Sequence, residues 1–303
     1  MGLKIMKERI VYVNGEFLNE SEAKVSVFDR GFLFADAVYE VTAIIDSKIL
    51  EWDGHIKRLQ RSLNELGMNL PIKASELLDI HYNLISKNNL TEGLIYLQIT
   101  RGEDDRSFDY PDEGVKQTIV LFTQVKSLQE TNLAKNGLKV ISVPDMRWGR
   151  RDIKTVQLLA PSMCKMMAKK SNKDDAWMIQ DGFVTEGTSN NAYIITKNNV
   201  LITRNLSNDI LAGVTRRSIL KYAKEAQIKI EERPFTIEEA KDASEAFVSS
   251  ATTFIGPVVE IDNIKIGDGK PGKQSLRLRE IYIQESMKAV SYTHLTLPTI
   301  LLV

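Results

Sequence analysis

Residues 184–195 read VTEGTSNNAYII, and the organisation of the chain follows from this stretch. Glu186 opens a run of turn-favouring residues, Gly187 to Asn191, and an apolar β-rich segment follows at once. Lys154, in RRDIKTVQLL, lies 32 residues before Glu186, and Thr215, in ILAGVTRRSIL, lies 29 residues after it. A lysine becomes a nucleophile when burial or a nearby cation lowers its proton affinity; Arg147, Arg150 and Arg151 precede Lys154 and VQLLAP follows it. Gly213, Val214 and Thr215 read as a helix start, where glycine lets the backbone approach and free amide hydrogens suit an anion. Taken singly, each has an ordinary explanation: a solvated lysine, a turn glutamate, a helix cap. Their order and spacing set them apart.

An amine, a carboxylate and an anion-binding helix start are what a protein must supply to pyridoxal 5'-phosphate, which is an aldehyde, a pyridine and a phosphate in one molecule. The three motifs and their flanks resemble the fold-type IV (class IV) aminotransferases, and the D-amino-acid aminotransferases most closely. The resemblance implies an α/β (α+β) chain of two domains and a homodimer. It implies ping-pong transfer of an amino group from an amino acid, D-alanine being the candidate, to a 2-oxo acid such as 2-oxoglutarate. Lys154 would be the Schiff-base residue and the base that moves the substrate proton, with Glu186 beside the pyridine nitrogen. Asn191 belongs to the same motif, and Gly213, Val214 and Thr215 would take the phosphate. Arg58, in DGHIKRLQRS, matches a phosphate-contacting arginine; read alone, it is a charge on a solvated helix face. In FVSSATTFIGPV, Ala251 stands where the family commonly has threonine, so the hydroxyl expectation moves to Ser250.

Residues 27–41, VFDRGFLFADAVYEV, extend the resemblance to about Ile10 to Met287. Asp29, Arg30, Gly31, Asp36, Tyr39 and Glu40 match, while Ala35 and Ala37 replace frequent glycines, which is expected only to narrow backbone freedom. Tyr39 is expected near the substrate carboxylate or the proton-transfer site, and Phe28, Phe32 and Phe34 mostly in the core. In ITRGEDDRSFDYP, Arg106 matches the arginine that D-amino-acid aminotransferases place over the α-carboxylate, usually from the partner subunit. Read alone, it is an exposed loop arginine among Asp104, Asp105 and Asp109. Phe108 stands where those enzymes carry a histidine. Two alternatives stay open: a branched-chain L-amino-acid aminotransferase, and a lyase resembling aminodeoxychorismate lyase. A catalytically silent cofactor-binding chain is disfavoured by the retention of Lys154 and Glu186.

The 303 residues carry 40 basic and 40 acidic side chains, so no global field favours nucleic acid or an anionic membrane. A lone Cys164 forms no internal disulfide and suits a reducing cytoplasm. No secretory leader is expected in MGLKIMKERIVYV, and no apolar run reaches the ~18 residues of a membrane span. His55 and His81 lack metal-site spacing, Cys164 reads as a small buried hydrophobe, and Trp177 as core. The expected organisation is a small N-terminal α/β domain over 1–125, a linker over 126–136 and a larger cofactor-binding domain over 137–290. Residues 291–303 are set aside, because VSYTHLTLPT reads as a translated sequencing-library adapter. Hairpins are expected at Asn14-Gly15 and Asn198-Asn199, helices over 53–68, 74–89, 158–172 and 214–227, and pairing between GLIYLQITRG and QTIVLFTQV.

Overall fold

The structure, a computed structural model, describes residues 8–293. His294 and the rest of the tail, together with the first seven residues of MGLKIMKERIVYV, lie outside them. The chain forms two units: residues up to Ser47 with Trp52–Lys126 and Ile153–Gln157, and Lys48–Glu51 with Ser127–Asp152 and everything from Leu158 on. Among the described residues no helix is long and apolar enough to cross a membrane.

The first unit holds β1 (Ile10–Val13), β2 (Glu16–Asn19), α1 (Arg30–Phe34) and β3 (Ala37–Ile45). After β4 (Lys48–Ile49), which belongs to the second unit, come α2 (Trp52–Glu65), α3 (Ala74–Lys87), β5 (Glu92–Thr100) and β6 (Ile119–Val125). The sheet runs β2-β1-β6-β5-β3, antiparallel throughout. Asn14 and Gly15 turn the first hairpin with φ of 49° and 107°, the left-handed pair that a two-residue turn needs. β5 and β6 pair from Gly93↔Val125 to Ile99↔Ile119, as their β-branched runs predict. Helix spacing is obeyed too, since α3 buries Leu77, Ile80, His81, Leu84 and Ile85 along one stripe.

His81 adds a pH dependence. Its imidazole is buried, with Nδ1 2.7 Å from the Leu77 carbonyl, and burial pushes its pKa down from 6.5 to about 4. Between those values the unfolded chain takes up a proton that the folded protein refuses. Stability therefore falls as the pH drops from 6.5 toward about 4, and one such group costs up to about 3 kcal/mol. Urea melts across that range check this: His81→Phe should flatten the slope, and an unchanged slope would assign it to other groups.

Two expectations at α1 fail. Phe28 and Phe32 are 53% and 75% exposed, not core. The helix is only five residues long, and it turns Arg30 inward while Gly31 packs against Thr100, where a Cβ would come within 2.5 Å of the Thr100 methyl. The aromatic faces are left outside. Ala35 does more than lose freedom: it ends α1 in a left-handed conformation, φ 55°, a strain of about 1 kcal/mol that glycine would avoid.

The second unit continues with α4 (Asn132–Asn136), β7 (Leu138–Pro144), α5 (Leu159–Lys170), β8 (Asp175–Gln180), β9 (Phe183–Gly187), β10 (Asn191–Ile195) and β11 (Val200–Thr203). It is completed by α6 (Val214–Glu225), β12 (Lys229–Glu232), α7 (Ile237–Asp242), β13 (Glu245–Ser250), β14 (Phe254–Ile261), β15 (Ile264–Lys265) and α8 (Lys273–Thr293). Its mixed sheet runs β12-β11-β10-β13-β14-β7-β8-β9, with β15 on β14. The continuous apolar run of β10 is explained by burial of all its residues. Trp177 is fully buried against Phe235, and Cys164 is buried with its thiol pKa pushed up by that burial. The stretch 126–136 contains α4, and Arg279 of α8 ties it down by donating to the Leu128 and Gln129 carbonyls at 2.8 and 2.9 Å.

Candidate active site

In the second unit the motif around Glu186 folds as the end of β9, a tight turn and the start of β10. The turn closes through the Gly187 amide, which donates to the Asn190 carbonyl at 2.9 Å. A Cβ on Gly187 would sit 2.2 Å from Asn190 Oδ1, which is why glycine stands there. The polar run is spent on a residue that no sequence pattern singles out: Thr188 Oγ1 and Asn190 Nδ2 both donate to buried Asp175, at 2.5 and 2.7 Å.

Glu186 is 5% exposed. Its Oε2 accepts from Asn191 Nδ2 at 3.0 Å and from the Leu211 amide at 3.2 Å, and its Oε1 pairs with Arg147. Burial pushes the Glu186 carboxyl above the ordinary range, against the pull of Arg147 and the Leu211 amide. Asn191 also donates to the Leu211 carbonyl at 2.9 Å, so its amide ties Glu186 to the approach to α6. Gly213 caps that helix without a side-chain acceptor, and a Cβ on it would meet Asn191 Oδ1 at 2.1 Å. Val214 and Thr215 therefore begin a twelve-residue helix with amides that no capping side chain engages. Ser250 closes the β13–β14 turn, its Oγ accepting from the Thr253 amide at 3.1 Å, and Ala251 lies in that turn, half-buried.

In the first unit, Lys154 lies on a short extended segment bridged to the start of β3. Its carbonyl accepts from the Tyr39 amide at 3.0 Å, and the Val156 amide donates to the Ala37 carbonyl at 3.2 Å. The Lys154 amide reaches Ser62 Oγ of α2 at 3.3 Å. The side chain is half-buried with Nζ 4.1 Å from the Tyr39 ring centroid, so Lys154 and Tyr39 are brought together. Tyr39 in turn stacks on Tyr96, with centroids 5.6 Å apart.

Arg58 is not the solvated charge that its helix pattern alone suggests. It is 10% exposed and grips Glu40 through Nε and Nη2, both at 2.8 Å, while His55 Nδ1 meets the same carboxylate at 2.7 Å. Burial opposes ionisation of Glu40, but the Arg58 guanidinium and His55 win, and its carboxyl is held well below the usual range. Nor are the arginines before Lys154 loose cations. Arg147 pairs with Asp145 and Glu186, Arg150 with Asp152, and Arg151 with Gln180 and Asp145.

Arg106 is exposed on the loop after β5, 5.5 Å from the Phe34 ring centroid and 5.7 Å from that of Phe108. The loop is anchored from beneath. Buried Arg30 donates to the Ser107 and Asp109 carbonyls at 2.8 and 3.1 Å, and Arg30 and Arg101 share Asp36 at 3.0 and 2.7 Å.

The sequence profile described as Amino-transferase class IV matches residues 37–261, more than half of the chain. The chain is 38% identical over 270 residues to a D-alanine aminotransferase of Staphylococcus aureus (strain N315), covering 89% of this chain and 95% of that one. It is 37% identical over 262 residues to a D-alanine aminotransferase of Bacillus licheniformis, covering 86% and 92%. Among solved structures, the branched-chain amino acid aminotransferase from Escherichia coli superposes with a TM-score of 0.82 at 23% identity, over 92% of this chain and 95% of that one. The branched-chain amino acid aminotransferase from Thermobaculum terrenum in its PLP form superposes with a TM-score of 0.80 at 21% identity, over 93% and 94%. At those identities the superpositions bear on the fold, and the fold is the same. With the profile spanning both units and relatives near two-fifths identity along most of its length, this chain belongs to the class IV aminotransferases, enzymes that depend on pyridoxal 5'-phosphate.

Proposed function

We propose that the chain transfers the amino group of a D-amino acid, with D-alanine as the test substrate, to a 2-oxo acid such as 2-oxoglutarate. The observation that carries this reading is the 38% identity to proteins named D-alanine aminotransferase over 89% of the chain, and Arg106 on its anchored loop supports it. Branched-chain aminotransferases share the fold at 23% identity, which bears on architecture and not on substrate.

The residues present fit the cofactor. The uncapped start of α6 suits a phosphate, and Gly213 is held so close to Asn191 that no side chain fits there. Gly213, Val214 and Thr215 would hold the phosphate through backbone amides, and the family resemblance assigns Arg58, Ser250 and Ala251 to the same group. Glu186 would hold the pyridine nitrogen. When bound, pyridoxal phosphate supplies an aldehyde and an electron sink that lets a substrate α-proton leave. Lys154 Nζ would hold the cofactor between turnovers and would carry that proton as base. Tyr39 confines the lysine amine on one side, its ring 4.1 Å away. The amino acid and the 2-oxo acid take turns at Lys154, so initial-rate plots should give the parallel lines of a ping-pong scheme.

Arg106 reads the substrate carboxylate with its fork of donors. Arg106→Ala should raise KM for D-alanine by a factor corresponding to roughly 1 to 3 kcal/mol, with the cofactor absorbance unchanged. Unaltered D-alanine kinetics, or a parent enzyme that prefers L-leucine, would remove the D-amino-acid reading. A homodimer is part of the same proposal. Val27, Phe32, Phe108 and Tyr110 expose 65%, 75%, 83% and 63% of their surface, apolar side chains that a partner subunit would cover. The lone buried Cys164 fits a cytoplasmic protein that makes no disulfide.

A further inference from the structure

We propose that Arg147, itself clamped by Asp145, is the positioning residue that keeps Glu186 ionised and aimed, so that a buried series Asp145–Arg147–Glu186 ends in the carboxylate offered to the cofactor ring. The inference rests on the reading that Glu186 faces the pyridine nitrogen.

The geometry is that of a three-way fork. Arg147 Nε and Nη2 donate to the two oxygens of Asp145 at 3.0 and 2.7 Å, and the Arg147 amide reaches the same carboxylate at 3.1 Å. The remaining nitrogen, Nη1, is the one that meets Glu186. The side chains of Arg147, Asp145 and Glu186 are 11%, 0% and 6% exposed, so the series is shut off from water. Asp145 is fixed independently by Thr185 Oγ1, which donates to it at 2.6 Å from the residue preceding Glu186 on β9. Glu186 and the threonine that fixes Asp145 thus share one strand.

The charges make Arg147 necessary. A carboxyl as buried as Glu186 tends toward its neutral form, and a neutral acid would not hold a protonated ring nitrogen. The other titratable groups acting on it are Asp145, whose charge pushes the Glu186 proton affinity up further, and Tyr193 of β10, a phenol that burial keeps neutral. Asn191 and the Leu211 amide are neutral donors. Arg147 is the cation in direct contact, and Glu186 and Asp145 raise its own pKa against the cost of burial. Arg151, 3.4 Å from Asp145, shares that carboxylate and leaves Arg147 charge to spare for Glu186. A lysine could reach one of the two carboxylates but could not span both, because it lacks the planar fork.

The test is a carboxyl titration. The full chain, freed of cofactor and labelled with 13Cδ-glutamate, gives a Glu186 resonance that Glu186→Gln identifies by its loss. Arg147→Met should move the Glu186 midpoint upward by a pH unit or more, a tenfold or larger rise in proton affinity, and Arg147→Lys should move it less. Should Arg147→Met fail to fold, Arg147→Gln, which keeps polar donors beside Asp145 but removes the charge, should give a shift in the same direction. A Glu186 midpoint identical to the parent's in whichever of the two folds would overturn the proposal. The titration is read without cofactor or turnover. A failure of the catalytic reading of Glu186 would therefore appear in the kinetics of Glu186→Gln and not in this midpoint.

Discussion

Lys154→Ala is expected to abolish transamination, with a loss on the order of 10^4-fold or more, because in the proposed reaction one amine is both the cofactor's anchor and the proton-moving base. Alanine supplies neither. The loss should come without unfolding. What ties the segment into the first unit is backbone: the Lys154 carbonyl to the Tyr39 amide at 3.0 Å, and its amide to Ser62 Oγ at 3.3 Å. Neither bond needs the side chain. Thermal unfolding should therefore change by no more than about 1 kcal/mol, as for a substitution outside the core. Steady-state rates with D-alanine and 2-oxoglutarate, read beside a melting curve, check both halves. Turnover within tenfold of the parent in a folded variant would mean that another residue carries the chemistry.

The second largest effect belongs to Glu186. Glu186→Gln keeps the shape of the side chain and one acceptor oxygen while removing the charge, so cofactor should still bind. The chemical step should slow by an amount corresponding to about 2 to 4 kcal/mol, the scale of one preorganised electrostatic contact. The substitution should also cost folding stability, since Arg147 loses the charged partner on its Nη1 and keeps Asp145. The loss should fall on kcat more than on KM for the amino acid, because nothing at the carboxylate-binding end has changed. A folded variant with the parent's kcat would leave Glu186 a turn residue and no more.

How legible these residues were in the sequence depended on how local their determinants are. The Asn14-Gly15 hairpin, the start of α6 at Gly213 and the buried strand β10 follow from chemistry within a few residues, and each is where its local pattern puts it. Partners set by tertiary packing were not legible. Arg58 looks like a surface charge on a helix, and only the folded unit brings it onto Glu40, 18 residues away. Arg147 reads as one of three cations near a lysine until the fold joins it to Glu186, 39 residues on. Asp175 carried no signal, yet it holds the turn that presents Glu186. The aromatics of α1 failed for a related reason: a five-residue helix cannot bury every face, and Arg30 and Gly31 take the inner one.

Borohydride reduction of the cofactor-loaded protein, followed by tryptic mapping, tests most directly whether Lys154 holds the cofactor. Modification blocks cleavage at Lys154, so the predicted product is one peptide, residues 152–165 with sequence DIKTVQLLAPSMCK, carrying the reduced pyridoxyl group. An adduct on any other lysine, or none in a protein that turns over, would contradict the assignment of Lys154.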